Sequence, residues 1–330
     1  MIFDRIQTTL EKDTLQDLAK TLPTYLLQAR ATNTTKSYKN GYQKWRTWAA
    51  NYELQEMPAN PISLALFLLS LIQSNHSVSS VENSYYGIKY YHKTLLHDDP
   101  MDHPLPKAML DVAKRRNKKL TTRKSPLTLE NLTDIYTILN TVPTLTNVRC
   151  STMILLGFMG FLRFDELSRI RYGDISFHET YLKIFIESSK TDKYRDGCWV
   201  HLAANNSKTC PVKNLKQYLL LAGLEHDDHY IFRGISKTKN GEKLRTKNTP
   251  LSYTRVRELV LSAFKSIDLP VKNFGTHSLR SGGATLAANS GIADRLFKRH
   301  GRWATDASKD LYVQDNIEQL LSVTRSMCIE

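Results

Sequence analysis

THSLRSGGATLAANSGIADRLFKRHGRWATDASKDLYVQD, residues 276 to 315, decides how the rest of this chain is read. His277 and Arg280 stand three residues apart, on one face of a helical turn. Thr276 is expected to cap that turn, leaving free backbone N–H groups and the positive end of a helix dipole beside the His and the Arg. These are the parts of a phosphate pocket. Trp303 follows with an indole donor, and Tyr312 comes nine residues later in the polar segment DASKDLYVQD. An exposed tyrosine hydroxyl near Arg, His and Trp donors suits a nucleophile that attacks a phosphodiester.

Two earlier stretches add to this set. FLRFDELSRIRYGDI, residues 161 to 175, places Arg163 three residues before Glu166, and SSKTDKYRDG, residues 188 to 197, reads as a turn carrying Lys190. The order Arg163, Lys190, His277, Arg280, Trp303, Tyr312 resembles the tyrosine recombinase (phage integrase) family over residues 150 to 330. Trp303 stands where many members carry His, in the Cre-like manner. The chain is also similar to the crypton-type recombinases of eukaryotic mobile elements.

The resemblance implies a site-specific DNA recombinase and a role for each residue. Tyr312 attacks the scissile phosphate and forms a 3′-phosphotyrosine. Arg163 and Arg280 hold the nonbridging oxygens with forked donors, which arginine does better than lysine. Trp303 adds an indole N–H, and His277 acts as donor or proton acceptor. Lys190 is the general acid for the 5′-oxygen, with Lys193 as its rival, and Glu166 orients the pocket. His300 competes with Trp303 for the family's His position; the interval to Tyr312 selects Trp303. Two other readings remain: a DNA-binding protein without catalysis (a domesticated recombinase or helix-turn-helix factor), and a type IB topoisomerase.

The rest of the composition agrees with a DNA partner. The formal net charge is +14 over 330 residues, with +7 in residues 1–124 and +7 in residues 125–330. Two basic halves suit a clamp on a polyanion better than one basic tail does. Cys150, Cys198, Cys210 and Cys328 form no CxxC pair, which points to a reducing compartment and no zinc site. The one acidic cluster, EHDDH at Glu225–His229, sets Asp227 beside Asp228 so that their side chains diverge. No metal and no cofactor is therefore expected, and covalent catalysis is favoured over two-metal hydrolysis. The longest apolar run, Ile62–Ile72, is too short to span a bilayer, and no secretory leader is legible. The expected location is the nucleus in a eukaryote, otherwise the cytoplasm or nucleoid.

Two domains are expected: an all-α N-terminal core-binding domain, and a mixed α+β, mainly helical catalytic domain with a small antiparallel sheet. Residues 1–22 read as a lead-in and 23–112 as the helical, DNA-binding domain. Within it, Tyr38, Tyr42, Trp45, Trp48 and Tyr52 form a core stripe, Ile62–Ile72 a helix buried nearly all round, and Lys89 and Lys93 a basic face for DNA. Residues 113–126, with Lys114, Arg115, Arg116, Lys118 and Lys119, read as a basic linker that contacts phosphates. Residues 127–330 form the catalytic domain, with strands at Tyr181–Glu187 and Cys198–Leu202, a basic loop at 236–249 and an apolar tail at 316–330. The resemblance implies a tetramer on two DNA sites, exchanging tails in trans, with no membrane.

Overall fold

The computed structural model describes residues 13–95, 97–117, 123–189, 196–239 and 241–327. Their contacts gather into two compact units that part between Thr121 and Thr122. The described residues are mainly helical, with two small antiparallel sheets.

Among those residues the first unit is built of helices: α1 (Asp13–Gln28), α2 (Thr32–Asn51), α3 (Pro61–Gln73), α4 (Val78–Thr94) and α5 (Pro104–Arg116). The aromatic stripe of α2 enters the core through Trp45, which is fully buried and donates its indole N–H to the Glu56 carbonyl at 3.1 Å. Tyr42 stacks on Tyr91 at 4.4 Å, and Tyr52, at the end of the stripe, is exposed. α3 begins where Asn60 accepts from the Ile62 N–H at 2.8 Å and Pro61 fills the first helical position. It buries Leu64, Phe67, Leu68, Leu71 and Ile72, but Ile62 and Leu66 face outward. The expectation of a helix buried nearly all round is thus corrected: residues four apart share a face, and this one is exposed.

One further expectation is corrected. The basic run placed in a linker from residue 113 instead completes α5, whose last turn is Lys114, Arg115 and Arg116. Cations there complement the negative end of the helix. Asn117 then ties that end to α3, donating to the carbonyls of Ile72 at 3.2 Å and His76 at 2.9 Å. Lys118 and Lys119 lie outside the described residues. Lys89 and Lys93, the expected basic face for DNA, pair with acids of their own chain. Lys89 Nζ lies 2.7 Å from Asp102 and 2.9 Å from Asp99, and Lys93 Nζ lies 3.6 Å from Asp99. The bond to Asp102 raises the Lys89 pKa against the opposing effect of burial.

The second unit runs α6 (Leu129–Thr141), α7 (Leu145–Met159), α8 (Phe164–Ser168), β1 (Ile175–Phe177), β2 (Tyr181–Ile186), β3 (Cys198–Ala203), α9 (Pro211–Leu221), β4 (Ile235–Thr238), β5 (Gly241–Leu244), α10 (Tyr253–Lys265), α11 (His277–Asn289), α12 (Asp294–Gly301), α13 (Asp306–Asp310) and α14 (Ile317–Arg325). α7 is its axis: every residue from Val148 to Phe158 is buried, with α6, α9 and α11 packed around it. β1, β2 and β3 form an antiparallel meander in which Leu182, Ile184 and Ile186 face inward. The expected basic loop at 236–249 contains a second hairpin, β4–β5, closed by Ile235 opposite Leu244. Ser236, Lys237 and Lys243 between them are polar, so the alternation that marks a strand is confined to its base. α14 buries none of its residues; Ile317, Leu320, Leu321 and Val323 are exposed. No helix among the described residues is long and apolar enough to cross a membrane.

His92, on α4, is fully buried. Its Nε2 accepts from the Ala59 N–H at 3.0 Å, so Nδ1 carries the proton and donates to the Ile88 carbonyl at 2.9 Å. Burial lowers its pKa, outweighing the bond to Ile88. The unfolded chain takes up this proton near pH 6.5, at about the ordinary imidazole value, while the fold refuses it until the pH is lower. The stability due to neutral His92 is therefore complete above about pH 6.5 and is lost as the pH falls below it. We expect His92→Gln to be less stable at pH 7 and to lose less on acidification than wild type. Urea melts at pH 7, 6 and 5 check this, and parallel pH slopes would assign the effect to another group.

Candidate active site

The site is assembled from the ends of four helices in the second unit. α11 brings the first pair. The expected Thr276 cap is corrected: Thr276 already has helical dihedrals and its side chain makes no capping bond, because a capping residue needs extended backbone. Instead the Ser278 hydroxyl accepts from the Gly275 N–H at 3.0 Å. Two residues on, Arg280 is fully buried. Gly283 allows that depth, since a Cβ there would stand 2.0 Å from the Phe158 carbonyl oxygen.

Arg280 donates Nη1 to the Phe161 carbonyl and Nη2 to the Gly301 carbonyl, the latter at 2.5 Å. Its Nε has no hydrogen-bond partner among the described residues. Its guanidinium carbon lies 4.8 Å from the centre of the Trp303 ring and 4.8 Å from that of Tyr312. Burial, with Arg163 and Arg302 alongside, presses its pKa below the usual arginine value.

Trp303 follows α12 and is 5% exposed. Gly301 makes room for it, because a Cβ there would fall 1.8 Å from the indole ring. The Trp303 indole N–H is buried and, like Arg280 Nε, has no partner among the described residues. Such a donor costs roughly 1–3 kcal/mol unless an acceptor arrives. Tyr312 is half-buried, its ring 5.6 Å from Trp303 and 6.4 Å from His277. Thr285 on α11 grips its backbone: Oγ1 donates to the Tyr312 carbonyl at 3.3 Å and accepts from the Gln314 N–H at 3.1 Å. Lys298 with Asp306, 3.0 Å apart, and Lys309 with Asp294 tie α13 to α12.

Arg163 enters from the start of α8. Glu166, buried beside it, accepts from the Arg163 backbone N–H at 2.8 Å, from Arg163 Nη1 at 2.9 Å and from Arg302 Nη2 at 2.7 Å. Burial alone would raise the Glu166 pKa, but Arg302, the Arg163 N–H and the Arg163 charge together hold it below the ordinary carboxylate value. His300 has another job. Its Nε2 bonds the Met159 carbonyl at 2.8 Å, its ring meets Phe161 edge-on at 4.6 Å, and burial lowers its pKa. It therefore supports the wall of the site, while Trp303 is the side chain beside Tyr312.

Arg163, Glu166, His277, Arg280, Trp303 and Tyr312 thus come together from segments far apart in sequence. Lys190 and Lys193 lie outside the described residues. Arg302 and Phe161 were missed by sequence reasoning. Both have positive φ, 57° and 48°, which nothing in their residue types announces. In the EHDDH turn, His229 engages Asp227 at 2.5 Å, and among the described residues no group of three His, Cys, Asp or Glu side chains could hold a metal ion. A groove of about 1000 Å³ opens next to the site, lined by Phe158, Met159, Trp199, Leu286, Leu296 and His300.

Residues 126–319 match the Phage integrase family. The chain belongs to that family. It is 24% identical to an integrase/recombinase XerD homologue of Selenomonas ruminantium, over 88% of this chain and 83% of the relative. Its fold is similar to that of the XerH site-specific recombinase bound to its palindromic difH substrate, with a TM-score of 0.62 and 16% identity over 88% of this chain and 78% of that one. It is also similar to a lambda integrase tetramer bound to a Holliday junction, with a TM-score of 0.58 and 17% identity over 96% of this chain and 81% of that one.

In this integrase-family pocket one carboxylate answers several cations. Glu166→Gln keeps the shape and removes the charge. We expect it to cost about 3–5 kcal/mol in urea unfolding, the range for breaking a buried ion pair on one side. A loss under about 1 kcal/mol would mean that the guanidiniums do not depend on that charge.

Proposed function

We propose that this chain is a site-specific DNA recombinase that cleaves and rejoins double-stranded DNA through a 3′-phosphotyrosine on Tyr312. The observation that carries the reading is the buried Arg280 guanidinium, 4.8 Å from the rings of both Trp303 and Tyr312, with His277 and Arg163 in the same pocket. In the proposed step the Tyr312 Oη attacks the scissile phosphorus, and the bond from phosphorus to the 5′-oxygen breaks. The phenol must lose its proton, with His277 as the candidate acceptor, and the 5′-oxygen gains one from Lys190 or Lys193. Rejoining reverses both transfers. The nonbridging oxygens take donors from Arg163, from Arg280 Nε and from the Trp303 indole. The last two are buried N–H groups with no partner among the described residues. Loss of one such donor costs about 2.7–4 kcal/mol of barrier.

The first unit, α1 to α5, serves in this reading as the core-binding domain, and residues 127–330 as the catalytic domain. The exposed end of α5, with Arg115 and Arg116, suits phosphate contact better than Lys89 does, given its acidic partners. A tetramer on two sites is supported by the lambda integrase tetramer on a Holliday junction. The exposed apolar face of α14 is the segment that a second copy would receive, and the apolar groove beside the pocket is its proposed seat.

A duplex selected by the protein from a random pool, and nicked near its centre to trap intermediates, tests the chemistry. Wild type is expected to form a covalent protein–DNA adduct on denaturing gels, and Tyr312→Phe none. Arg280→Ala should abolish the adduct while keeping DNA affinity within about tenfold, because most affinity comes from many phosphate contacts. DNA shifted in native gels without any adduct in wild type would make the chain a binder instead.

The assembly has its own test. Leu320→Asp with Leu321→Asp should leave single-site binding intact and remove complexes of two sites in sedimentation analysis. Unchanged two-site complexes would place the contact elsewhere.

A further inference from the structure

We propose that Arg302 is a positioning residue for strand cleavage: from a left-handed backbone position it holds Glu166 and the Phe161 carbonyl, and through them sets the aim of Arg163 and Arg280. This rests on the reading of Tyr312 as nucleophile.

α12 ends in a tight turn. The Trp303 N–H bonds the Lys298 carbonyl at 3.2 Å and the Arg302 N–H bonds that of Arg299 at 3.1 Å. The residue in the left-handed slot of such a turn is ordinarily glycine, because a side chain there crowds the backbone. Here it is Arg302, with φ 57° and ψ 38°. Its guanidinium bonds Glu166 Oε2 at 2.7 Å and the carbonyls of Phe161 at 2.8 Å, His300 at 2.9 Å and Gly160 at 3.1 Å. Phe161 is itself left-handed, with φ 48°, and its carbonyl accepts from both Arg302 and Arg280. Two strained residues therefore meet at one oxygen. Backbone strain persists where the surroundings over-determine it, and it gathers at functional sites.

The hydrogen bonds suggest what the strain secures. A carboxylate beside an arginine tends to close a two-pronged fork on it. Arg302 shares Glu166 Oε2 with the Arg163 backbone N–H and fills it, so the side chain of Arg163 bonds Oε1 through Nη1. The rest of the Arg163 guanidinium is then available to a phosphate oxygen. Without Arg302 the fork can close and draw Arg163 away. Arg280, for its part, would lose the neighbour that fixes its shared acceptor.

Glycine suits the left-handed slot, so Arg302→Gly removes the guanidinium and the strain together. Arg302→Lys keeps the charge without the fork, and carries the test should the glycine variant fail to fold. On the selected, nicked duplex both variants are expected to bind within about threefold of wild type, since one pocket residue supplies few phosphate contacts. Both should form adduct about 100-fold more slowly, the scale of a small misplacement of reacting groups. Millimolar guanidinium ion, against sodium chloride at equal ionic strength, should restore roughly tenfold of the rate in Arg302→Gly and none in Arg302→Lys, whose side chain fills the space. Wild-type rates in either variant, or DNA binding lost in step with cleavage, or no rescue of the glycine variant, would each overturn the proposal. A wild-type protein that forms no adduct at all would overturn the Tyr312 reading first, and this one with it.

Discussion

The pocket depends on a shortage of negative charge. Glu166 is the carboxylate that Arg163 and Arg302 share, and Arg280 lies close enough for its pKa to feel both guanidiniums. Two unit charges 4 Å apart interact by about 4 kcal/mol at the effective dielectric of about 20 that suits protein sites. One carboxylate offsets part of the mutual repulsion of three guanidiniums and leaves the pocket cationic. Backbone carbonyls of Gly160, Phe161, His300 and Gly301 supply the remainder with dipoles rather than charge. In the proposed reaction a phosphodiester supplies the charge that completes such an arrangement, and the proposed donors stand in place for it.

Around the cations stands an apolar wall. Phe161, Ala284, Phe297 and Trp303 form a small buried cluster, distinct from the main core on α7, with Tyr312 and Val313 packed against it. This wall limits water near Arg280 and strengthens each interaction there. It also explains why a tryptophan can occupy a position beside Tyr312, the proposed nucleophile. The indole N–H donates whatever the pH, and its ring offers a face to the guanidinium at 4.8 Å. His300, three residues earlier, has its pKa lowered by burial and is bonded to Met159, which disfavours a further positive charge there.

Much of this gathering was legible in the sequence because the proposed functional residues sit at local signals. Arg163 opens a helix three residues before its glutamate, His277 and Arg280 share one helical turn, and the Trp303–Tyr312 interval spans one short helix. The inward alternation of β2 was equally plain. What escaped was set by tertiary contacts. Arg302 looks like one of several basic residues at the end of α12, and only its left-handed backbone turns it inward to Glu166. The pairing of Lys89 with Asp99 and Asp102, which come from a later turn, was likewise not legible. Thr276 failed as a cap because the chain is already helical there. The β4–β5 hairpin escaped because its inner residues are polar on both strands.

The placement of Tyr312 links the chemistry to the chain that follows it. Its ring rests on Arg280 of the same polypeptide, its backbone is held by Thr285, and α13 is tied to α12 by two ion pairs. Those ion pairs join largely exposed aspartates, and contacts of that kind contribute little, of the order of 0–1 kcal/mol each. Asn316, the cap of α14, is four residues beyond Tyr312, so a fully extended connection between them reaches about 14 Å. In the proposed assembly a partner that seats α14 therefore acts on the nucleophile through a tether too short to absorb much movement. Weak fastening on one side and a short tether on the other make the aim of Tyr312 sensitive to whether the tail is seated. The buried guanidiniums, held by carbonyls and Glu166, stay put while it responds.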